Sequence, residues 1–321
     1  MVAGIPKQRA IPPFASQTFK SWFRRHRPLH ADGPIVVLWP DTFNNYFLPN
    51  TAKAAVTVLE NAGFRVELPQ GNLCCGRPLY DFGMLDRAET LLLRILDALA
   101  PQVEAGVPIV GLEPSCVAVF RDELCNLFPK DERAQRLSRQ TFLLGEFLDH
   151  YKDLIPLPRL ERKAIVHGHC HHKSVLKMSS EEAVLSRMGL DWQAPAPGCC
   201  GMAGSFGFEA DKYDVSAAIG ELELLPAVRQ APPDWLVVAN GFSCREQIAQ
   251  GTDRQALHLA EVLEMALVEG PDGPEGSYPE RRLVREREEA IRRNMRHTGL
   301  AVAGLATAGA LLWSIASNHR K

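Results

Sequence analysis

The sequence lacks several features that would assign it to a common functional class. Its net charge is only -2, whereas a protein that mainly coats nucleic acid is usually clearly basic. The first 30 residues contain no continuous apolar run, so no secretory signal is predicted. Eight cysteines in 321 residues are too few for a disulfide scaffold. We therefore expect a cytoplasmic protein that does not bind nucleic acid and whose cysteines bind metal or carry out redox chemistry.

An internal repeat is the most informative feature that the sequence does contain. Three ordered landmarks recur at offsets of 125, 128 and 129 residues, which is too regular for coincidence. They are Cys-Cys-Gly at 74–76 and 199–201, a strand ending in Ser-Cys at 107–116 and 234–244, and a strand with its following loop at 35–41 and 164–170. The repeat predicts two similar halves.

Helical patterns lie between these landmarks, and strands that alternate with helices indicate βαβ units. The sequence thus predicts an α/β protein with two similar Rossmann-like lobes, mostly parallel sheets and a single C-terminal helix. The predicted segments are a basic N-terminal arm (1–33), a first lobe (34–152), a second lobe (163–269), a linker with a charged stretch (270–297) and a tail helix (298–317).

The tail segment 298–317 contains twenty residues without a charge. As a helix it would span about 30 Å, roughly the thickness of a bilayer core. Arginines precede it and Arg320 and Lys321 follow it, which predicts a membrane anchor that leaves the body of the protein in the cytoplasm. The alternative is a helix buried in the protein or in an oligomer.

Four cysteines of the second half, Cys170, Cys199, Cys200 and Cys244, form the principal candidate metal site. A disulfide between neighbouring cysteines is strained, because adjacent Cα atoms lie about 3.8 Å apart. Each of the four follows a predicted strand or extended run, and ligands bind at the carboxyl ends of parallel strands. Four soft thiolates there fit an iron–sulfur cluster or tetrahedral zinc.

The first half has a poorer set of ligands. Cys74, Cys75 and Cys116 align with three of the four cysteines, but Asp41 occupies the position of Cys170. A carboxylate is a hard ligand that matches a typical cluster poorly, and Glu113 supplies another oxygen nearby. These residues are either a second metal site or a degenerate copy that only packs.

Several neighbouring residues are predicted to support the second-half ligands. They are His169, His171, Ser243 and Gly201. A histidine can orient a ligand or move a proton, and a glycine lets backbone approach a cluster closely. A hydrolase that uses one activated cysteine does not explain two repeated vicinal pairs.

Whole phrases of the sequence resemble a known family. The two Cys-Cys-Gly motifs, each with a later Ser-Cys, are similar to the tandem CCG cysteine-rich domain found in heterodisulfide reductase. A narrower resemblance, over about residues 9–268, is to the C-terminal region of FAD-linked D-2-hydroxyacid dehydrogenases, of the D-2-hydroxyglutarate or D-lactate type. Its phrases are LWPDTFNNYF (38–47), LCCGRPLYDFGMLD (73–86), EPSCVAVFRDEL (113–124), HGHCHHK (167–173), GCCGMAGSFGFE (198–209) and NGFSCREQI (240–248).

The resemblance implies a [4Fe–4S] cluster on the second-half cysteines, with zinc as the alternative. Asp41, Val119 and Gln247 stand where the fullest form of the motif has cysteine, so the resemblance does not extend to its five-cysteine cluster. The family's FAD domain and ferredoxin-like motif have no counterpart in this sequence. We therefore expect an FAD-containing dehydrogenase subunit and a ferredoxin-type iron–sulfur protein as partners, with a membrane quinone as a candidate acceptor.

The resulting hypothesis is an electron-transfer subunit of an FAD-dependent 2-hydroxyacid dehydrogenase, acting on a glycolate, D-lactate or D-2-hydroxyglutarate type of substrate. Such a chain is an oxidoreductase component that is not catalytic alone. Two alternatives remain: a heterodisulfide-reductase-like enzyme that reduces a disulfide at the cluster, and a zinc-stabilised interaction module without redox function.

Overall fold

The structure, a computed structural model, describes residues 4–285, 288–289 and 292–293. Within this part of the chain, seven strands form two sheets. The strands are β1 (Ile35–Leu38), β2 (Arg65–Glu67), β3 (Ile109–Gly111), β4 (Thr141–Leu143), β5 (Lys163–His167), β6 (Asp191–Gln193) and β7 (Leu236–Ala239).

Helices connect these strands and cover the sheets. The α-helices are α1 (Phe19–Phe23), α2 (Thr42–Tyr46), α3 (Pro49–Asn61), α4 (Arg77–Asp81), α5 (Leu85–Glu104), α6 (Pro114–Ala118), α7 (Leu124–Leu127), α8 (Glu132–Gln140), α9 (Leu144–His150), α10 (Ser179–Met188), α11 (Tyr213–Leu222), α12 (Leu224–Gln230), α13 (Phe242–Gly251) and α14 (Leu259–Glu269). Two π-helical turns, at Val119–Glu123 and His172–Leu176, and one 3-10 turn, at Phe206–Phe208, complete the set.

The first sheet has the order β2-β1-β3-β4, and all three of its pairings are parallel. In register, Val37 of β1 lies beside Ile109 of β3, and Ile109 lies beside Thr141 of β4. The central strands are short apolar runs, as expected for strands covered by helices on both faces. The predicted α/β class with parallel sheets is confirmed.

The second sheet repeats this arrangement with the order β6-β5-β7, again entirely parallel. Beyond β7, Leu257 bridges to Val238 in the parallel sense, and it exchanges backbone hydrogen bonds with Val237 and Ala239. Leu257 therefore occupies the place that β4 has in the first sheet, so the repeat seen in the sequence is also a repeat of topology.

The two halves share one hydrophobic core. Helix α3 of the first half packs against α14 of the second, and α9 packs against α10. The buried side chains of this core come from both sheets and all four helices. The opposite face of each sheet has a smaller core of its own. A core common to both halves fixes the carboxyl ends of the two sheets relative to each other.

Helix α5 shows how the apolar pattern directs packing. Apolar residues at helical spacing predict one buried face, and Ala88, Leu92, Ile95 and Leu99 are all fully buried on it. Leu92, Ile95 and Leu99 pack with Val37 and Ile109 of the first sheet in the smaller core. This helix covers the outer face of the first sheet and closes one side of the first cysteine site.

The N-terminal arm lies against the body. Phe19 of α1 is fully buried in the shared core, and Trp22 and Phe23 pack against the same core. Among the described residues, no helix is long and apolar enough to cross a membrane. The predicted tail helix at 298–317 lies outside the described residues.

Candidate metal centres

The four second-half cysteines meet at the carboxyl edge of the second sheet. Cys170 follows β5 in the chain, the pair Cys199–Cys200 lies beyond β6, and Cys244 stands in the first turn of α13 just after β7. Cys200 and Cys244 are buried, whereas Cys170 and Cys199 are half-buried. Parallel strands end at one edge of a sheet, so three separate segments deliver their sulfurs to one place.

The sulfurs form a continuous series of contacts. Cys170 Sγ lies 3.7 Å from Cys199 Sγ. The Cys200 thiol lies within hydrogen-bonding reach of both Cys199 and Cys244. All four predicted ligands are therefore brought together.

The environment of these thiols favours the thiolate form of two of them, Cys199 and Cys244. Hydrogen bonds from the Cys170 and Cys200 thiols, helped by the Gly201 N–H, hold the pKa of Cys199 far below its usual range. The single Cys200 hydrogen is shared between Cys199 and Cys244, and it also lowers the pKa of Cys244 well below its usual range. Donation to Cys199 raises the pKa of both Cys170 and Cys200. Metals bind the thiolate form, so the site needs only partial deprotonation to accept one.

Gly201 is required by the geometry of the Cys-Cys-Gly loop. Its φ of +85° lies in the left-handed region that favours glycine. A Cβ at this position would overlap the carbonyl oxygen of Ser216 in α11. Its N–H donates to Cys199 Sγ at 3.3 Å. The structure thus gives Gly201 a direct bond to a candidate ligand.

The other predicted supporting residues have more varied positions. His171 N donates to His169 Nδ1 at 3.2 Å, and the two rings stack at 5.3 Å. Burial, with the nearby His169 and Arg77, lowers the pKa of His171 to about 4. Ser243 is half-buried and, among the described residues, makes no side-chain hydrogen bond to a sulfur. His167 lies beside Cys244, and its ring helps to lower the pKa of that thiol.

The first half gathers three sulfurs in the equivalent place. Cys75 Sγ lies 3.0 Å from Cys116 Sγ, and both side chains are buried. The Cys74 thiol bonds to Cys75, which raises the pKa of Cys74. The Cys75 bond lowers the pKa of Cys116, but burial and nearby carboxylates outweigh it and raise this pKa to about 11. These thiols are held in their neutral form.

The carboxylates of the first half have structural hydrogen bonds. Asp41 caps α2, where its oxygens accept from Asn44 N at 2.9 Å and Asn44 Nδ2 at 2.7 Å. Burial, and after it the charge of Glu113, raises the pKa of Asp41 to about 6. Glu113 accepts from the Ser115 hydroxyl and from Phe242 N, the latter at 2.8 Å. Asp41 lies close to Cys116 without a direct bond to a sulfur.

Contacts between the halves link the two sites. The Phe43 ring stacks on Phe242 at 4.2 Å, so the segment after Asp41 touches the segment before Cys244. Arg245 is buried and donates to Thr51 Oγ1 at 3.0 Å and to Asn44 Oδ1 at 3.4 Å. The first half therefore braces the helix that carries Cys244.

The donor set of the second half fits a soft metal or cluster, since all four groups are thiols and two are held toward thiolate. Among the described residues, no three Cys, His, Asp or Glu side chains stand in a ready-made arrangement for a single ion. The 3.7 Å between Cys170 and Cys199 is close to the edge of about 3.8 Å in a tetrahedral zinc–thiolate site. An iron–sulfur cluster placed among these sulfurs would require them to move outward.

Sequence reasoning missed residues that act on the sites from a distance. Arg9 of the N-terminal arm bonds to the loop after Cys200, but a lone basic residue in a basic arm carries no spacing signal. Arg245 follows Cys244 directly, whereas Val117 follows Cys116. This difference between the two repeats was the only sign in the sequence that Arg245 has a particular role.

The profile of the CCG family, described as a cysteine-rich domain, matches residues 41–121. The matched range contains all four residues of the first-half set. It also contains Glu113 and α6. The duplicated topology extends the same architecture to the second sheet.

Three curated proteins illustrate the wider similarity. The chain is 29% identical over 268 residues to one of the subunits of the anaerobic glycerol-3-phosphate dehydrogenase of Escherichia coli (strain K12), covering 82% of this chain and 67% of that protein. It is 32% identical over 232 residues to lactate utilization protein A of Bacillus velezensis, covering 68% and 93%. It is 29% identical over 232 residues to D-2-hydroxyglutarate dehydrogenase of Pseudomonas putida, covering 71% of this chain but 22% of that protein.

Proposed function

The chain belongs to the family of CCG cysteine-rich proteins, and we propose that it is an iron–sulfur electron-transfer subunit of an FAD-dependent dehydrogenase. The observation that carries this proposal is the convergence of four thiols, Cys170, Cys199, Cys200 and Cys244, at the carboxyl edge of the second sheet. Two of the relatives carry lactate and D-2-hydroxyglutarate in their names, and both compounds are 2-hydroxyacids. We infer that the partner enzyme oxidises a substrate of this class.

The four second-half cysteines would hold a [4Fe–4S] cluster, which supplies one-electron transfer between a flavin partner and an acceptor. The chain's own groups prepare the site. The Gly201 N–H stabilises negative charge on Cys199 Sγ, and the shielding of Cys200 and Cys244 excludes water. We assign the first-half cysteines a packing role, because their carboxylate neighbour is committed to capping α2.

The finer parts of the assignment follow from the family pattern. A flavin subunit and a ferredoxin-type protein on other chains would deliver electrons to this subunit. A membrane quinone is a candidate acceptor only if segment 298–317 anchors the chain. Catalysis of substrate oxidation belongs to the flavin partner in this scheme.

The test is to purify the full chain anaerobically, measure iron, sulfide and zinc, and record the EPR spectrum after reduction. Its flavin partner, identified by co-purification, is then mixed with it and given D-lactate, glycolate or D-2-hydroxyglutarate. We expect iron and sulfide in the protein and a reduced-cluster EPR signal that depends on both partner and substrate. A cluster that stays oxidised with every hydroxyacid would contradict the dehydrogenase assignment.

A zinc-stabilised interaction module is the second candidate, favoured by the 3.7 Å separation of Cys170 and Cys199. It predicts a colourless protein with one zinc per chain and no sulfide. Metal and sulfide analysis of the same anaerobic sample separates the two candidates directly.

A further inference from the structure

Arg9 differs from the other basic residues of the N-terminal arm in being buried. Only 8% of its surface is exposed, whereas Lys7, two residues earlier, is exposed. A guanidinium remains protonated in proteins, so its burial requires several hydrogen-bond acceptors. The arm brings this one charge into the interior of the second half.

The guanidinium is held by the loop that follows Cys-Cys-Gly. Its Nε donates to the Gly207 carbonyl oxygen at 2.8 Å, and its Nη2 donates to Ser216 Oγ at 3.0 Å. It also lies over the ring of Tyr213, 5.1 Å from the centroid. Three contacts therefore join the arm to both ends of the segment 207–216.

Ser216 connects these contacts to the cysteine pair. Its carbonyl oxygen lies against Gly201 and accepts a hydrogen bond from Gln247 Nε2 at 3.1 Å. Gln247 stands on α13, the helix that carries Cys244. Arg9 thus acts on the residue that touches both Gly201 and the Cys244 helix.

The charge of Arg9 also acts on a candidate ligand. Burial lowers the pKa of Arg9, and its neighbours Tyr213, Cys200 and Glu246 oppose that effect. The guanidinium bonds to Ser216, and the Ser216 carbonyl oxygen lies against Gly201, the residue next to Cys200, so the charge lies near the second-half cysteine pair. A fixed positive charge near a redox centre favours its reduced state, because reduction adds negative charge.

We propose that Arg9 is a positioning residue for the second-half centre. It holds the segment 201–216 in place, and its charge raises the reduction potential of the centre. The potential part of this inference rests on the proposed electron-transfer function. The loop part rests only on the contacts of Arg9 and is measurable without a bound metal.

The test compares Arg9→Met, Arg9→Lys and Lys7→Met in the full chain. Hydrogen exchange of the 201–216 amides is measured in the metal-depleted protein, and the potential is measured by EPR-monitored titration of the anaerobic protein. Lys7→Met removes the same charge from the same arm at an exposed position, so it controls for general effects of net charge.

We expect faster hydrogen exchange in both Arg9 variants, since neither retains both hydrogen bonds, to the Gly207 carbonyl oxygen and to Ser216 Oγ. The reduced-to-oxidised ratio at a fixed potential should fall about tenfold in Arg9→Met, a shift of about 59 mV for a one-electron couple. Arg9→Lys should restore most of that shift, and Lys7→Met should resemble the unmodified protein in both measurements.

Unchanged exchange or an unchanged potential in Arg9→Met overturns the proposal, as does a potential shift of equal size in Lys7→Met. A protein that contains no cluster refutes the proposed function and the potential part of the inference. The exchange measurement still decides the positioning role in that case.

Discussion

The two cysteine sites have the same topological origin but different chemistry. In the second half, four sulfurs meet, and the loop backbone donates to one of them. In the first half, three sulfurs meet, and Asp41 and Glu113 hold helix ends beside them. The second set favours thiolate at Cys199 and Cys244, whereas the first raises the pKa of Cys116. Duplication of a fold therefore does not preserve a site when one ligand changes.

The comparison also indicates what the first half contributes. Glu113 accepts a hydrogen bond from the backbone of Phe242, and Arg245 reaches back to Asn44 and Thr51. Both contacts end within two residues of Cys244. We interpret the first half as a rigid support for the second-half site, and the following predictions sharpen or break that interpretation.

The largest expected difference lies between the two glycines of the repeated motif. Gly201→Ala forces a Cβ onto the Ser216 carbonyl oxygen at a φ of +85° and should lower the free energy of unfolding by more than about 3 kcal/mol. Gly76→Ala meets the flexible Leu91 side chain at 3.3 Å and its other neighbours only at ordinary contact distance, so it should cost about 1–2 kcal/mol, mainly for its φ of +78°. Denaturant unfolding of both variants measures this. Equal costs would contradict the tighter packing of the second motif.

A pH effect is expected at Asp41. Its pKa is raised to about 6 from an ordinary value near 4, so the folded state binds its proton more tightly than the unfolded state does. Stability contributed by this group is present at pH 4 and is lost as the pH rises through 6. Relative to Asp41→Asn, the native protein should lose at most about 3 kcal/mol between pH 4 and pH 8.

The Asp41→Asn substitution also alters the cap of α2, and this effect on the free energy of unfolding does not depend on pH. The pH-independent part of the stability difference between the two proteins therefore serves as the control. Unfolding free energies of both proteins are measured at several pH values. If the difference in unfolding free energy between the two proteins did not change with pH, the pKa of Asp41 would not be raised in the folded state.

A smaller effect is expected from Glu113→Ala. This change leaves the Phe242 N–H without its buried acceptor and should destabilise the protein by about 2 kcal/mol. Glu132→Ala, at an exposed position of α8, is the matched control and should change stability by less than about 0.5 kcal/mol. Equal effects of the two substitutions in thermal or denaturant unfolding would remove the proposed link between the halves.

Local pattern predicted the repeated architecture well. The buried runs of β1, β3, β5 and β7 and the apolar face of α5 are confirmed, because burial of regular apolar faces is visible in the sequence itself. The three-residue strand β4 and the single bridge at Leu257 were missed, since such short edges have too few residues to show a period.

For the candidate metal site, the sequence predicted which residues are the candidate ligands but not the distant residues that support them. Repeated Cys-Cys-Gly and Ser-Cys motifs identified the sulfurs that meet, because each stands beyond a strand in a parallel sheet. The roles of Arg9, Glu113 and Arg245 depend on contacts between residues about 130 to 210 positions apart. No local spacing encodes such contacts, so they became visible only in the folded chain.

The most direct test of the central claim is the iron and sulfide content of three anaerobically purified proteins: the native chain, Cys199→Ser with Cys200→Ser, and Cys74→Ser with Cys75→Ser. Circular dichroism confirms that each is folded. We predict iron and sulfide in the native protein, their loss in the second-half variant and their retention in the first-half variant. A native protein without iron, or a second-half variant that keeps it, would contradict the account.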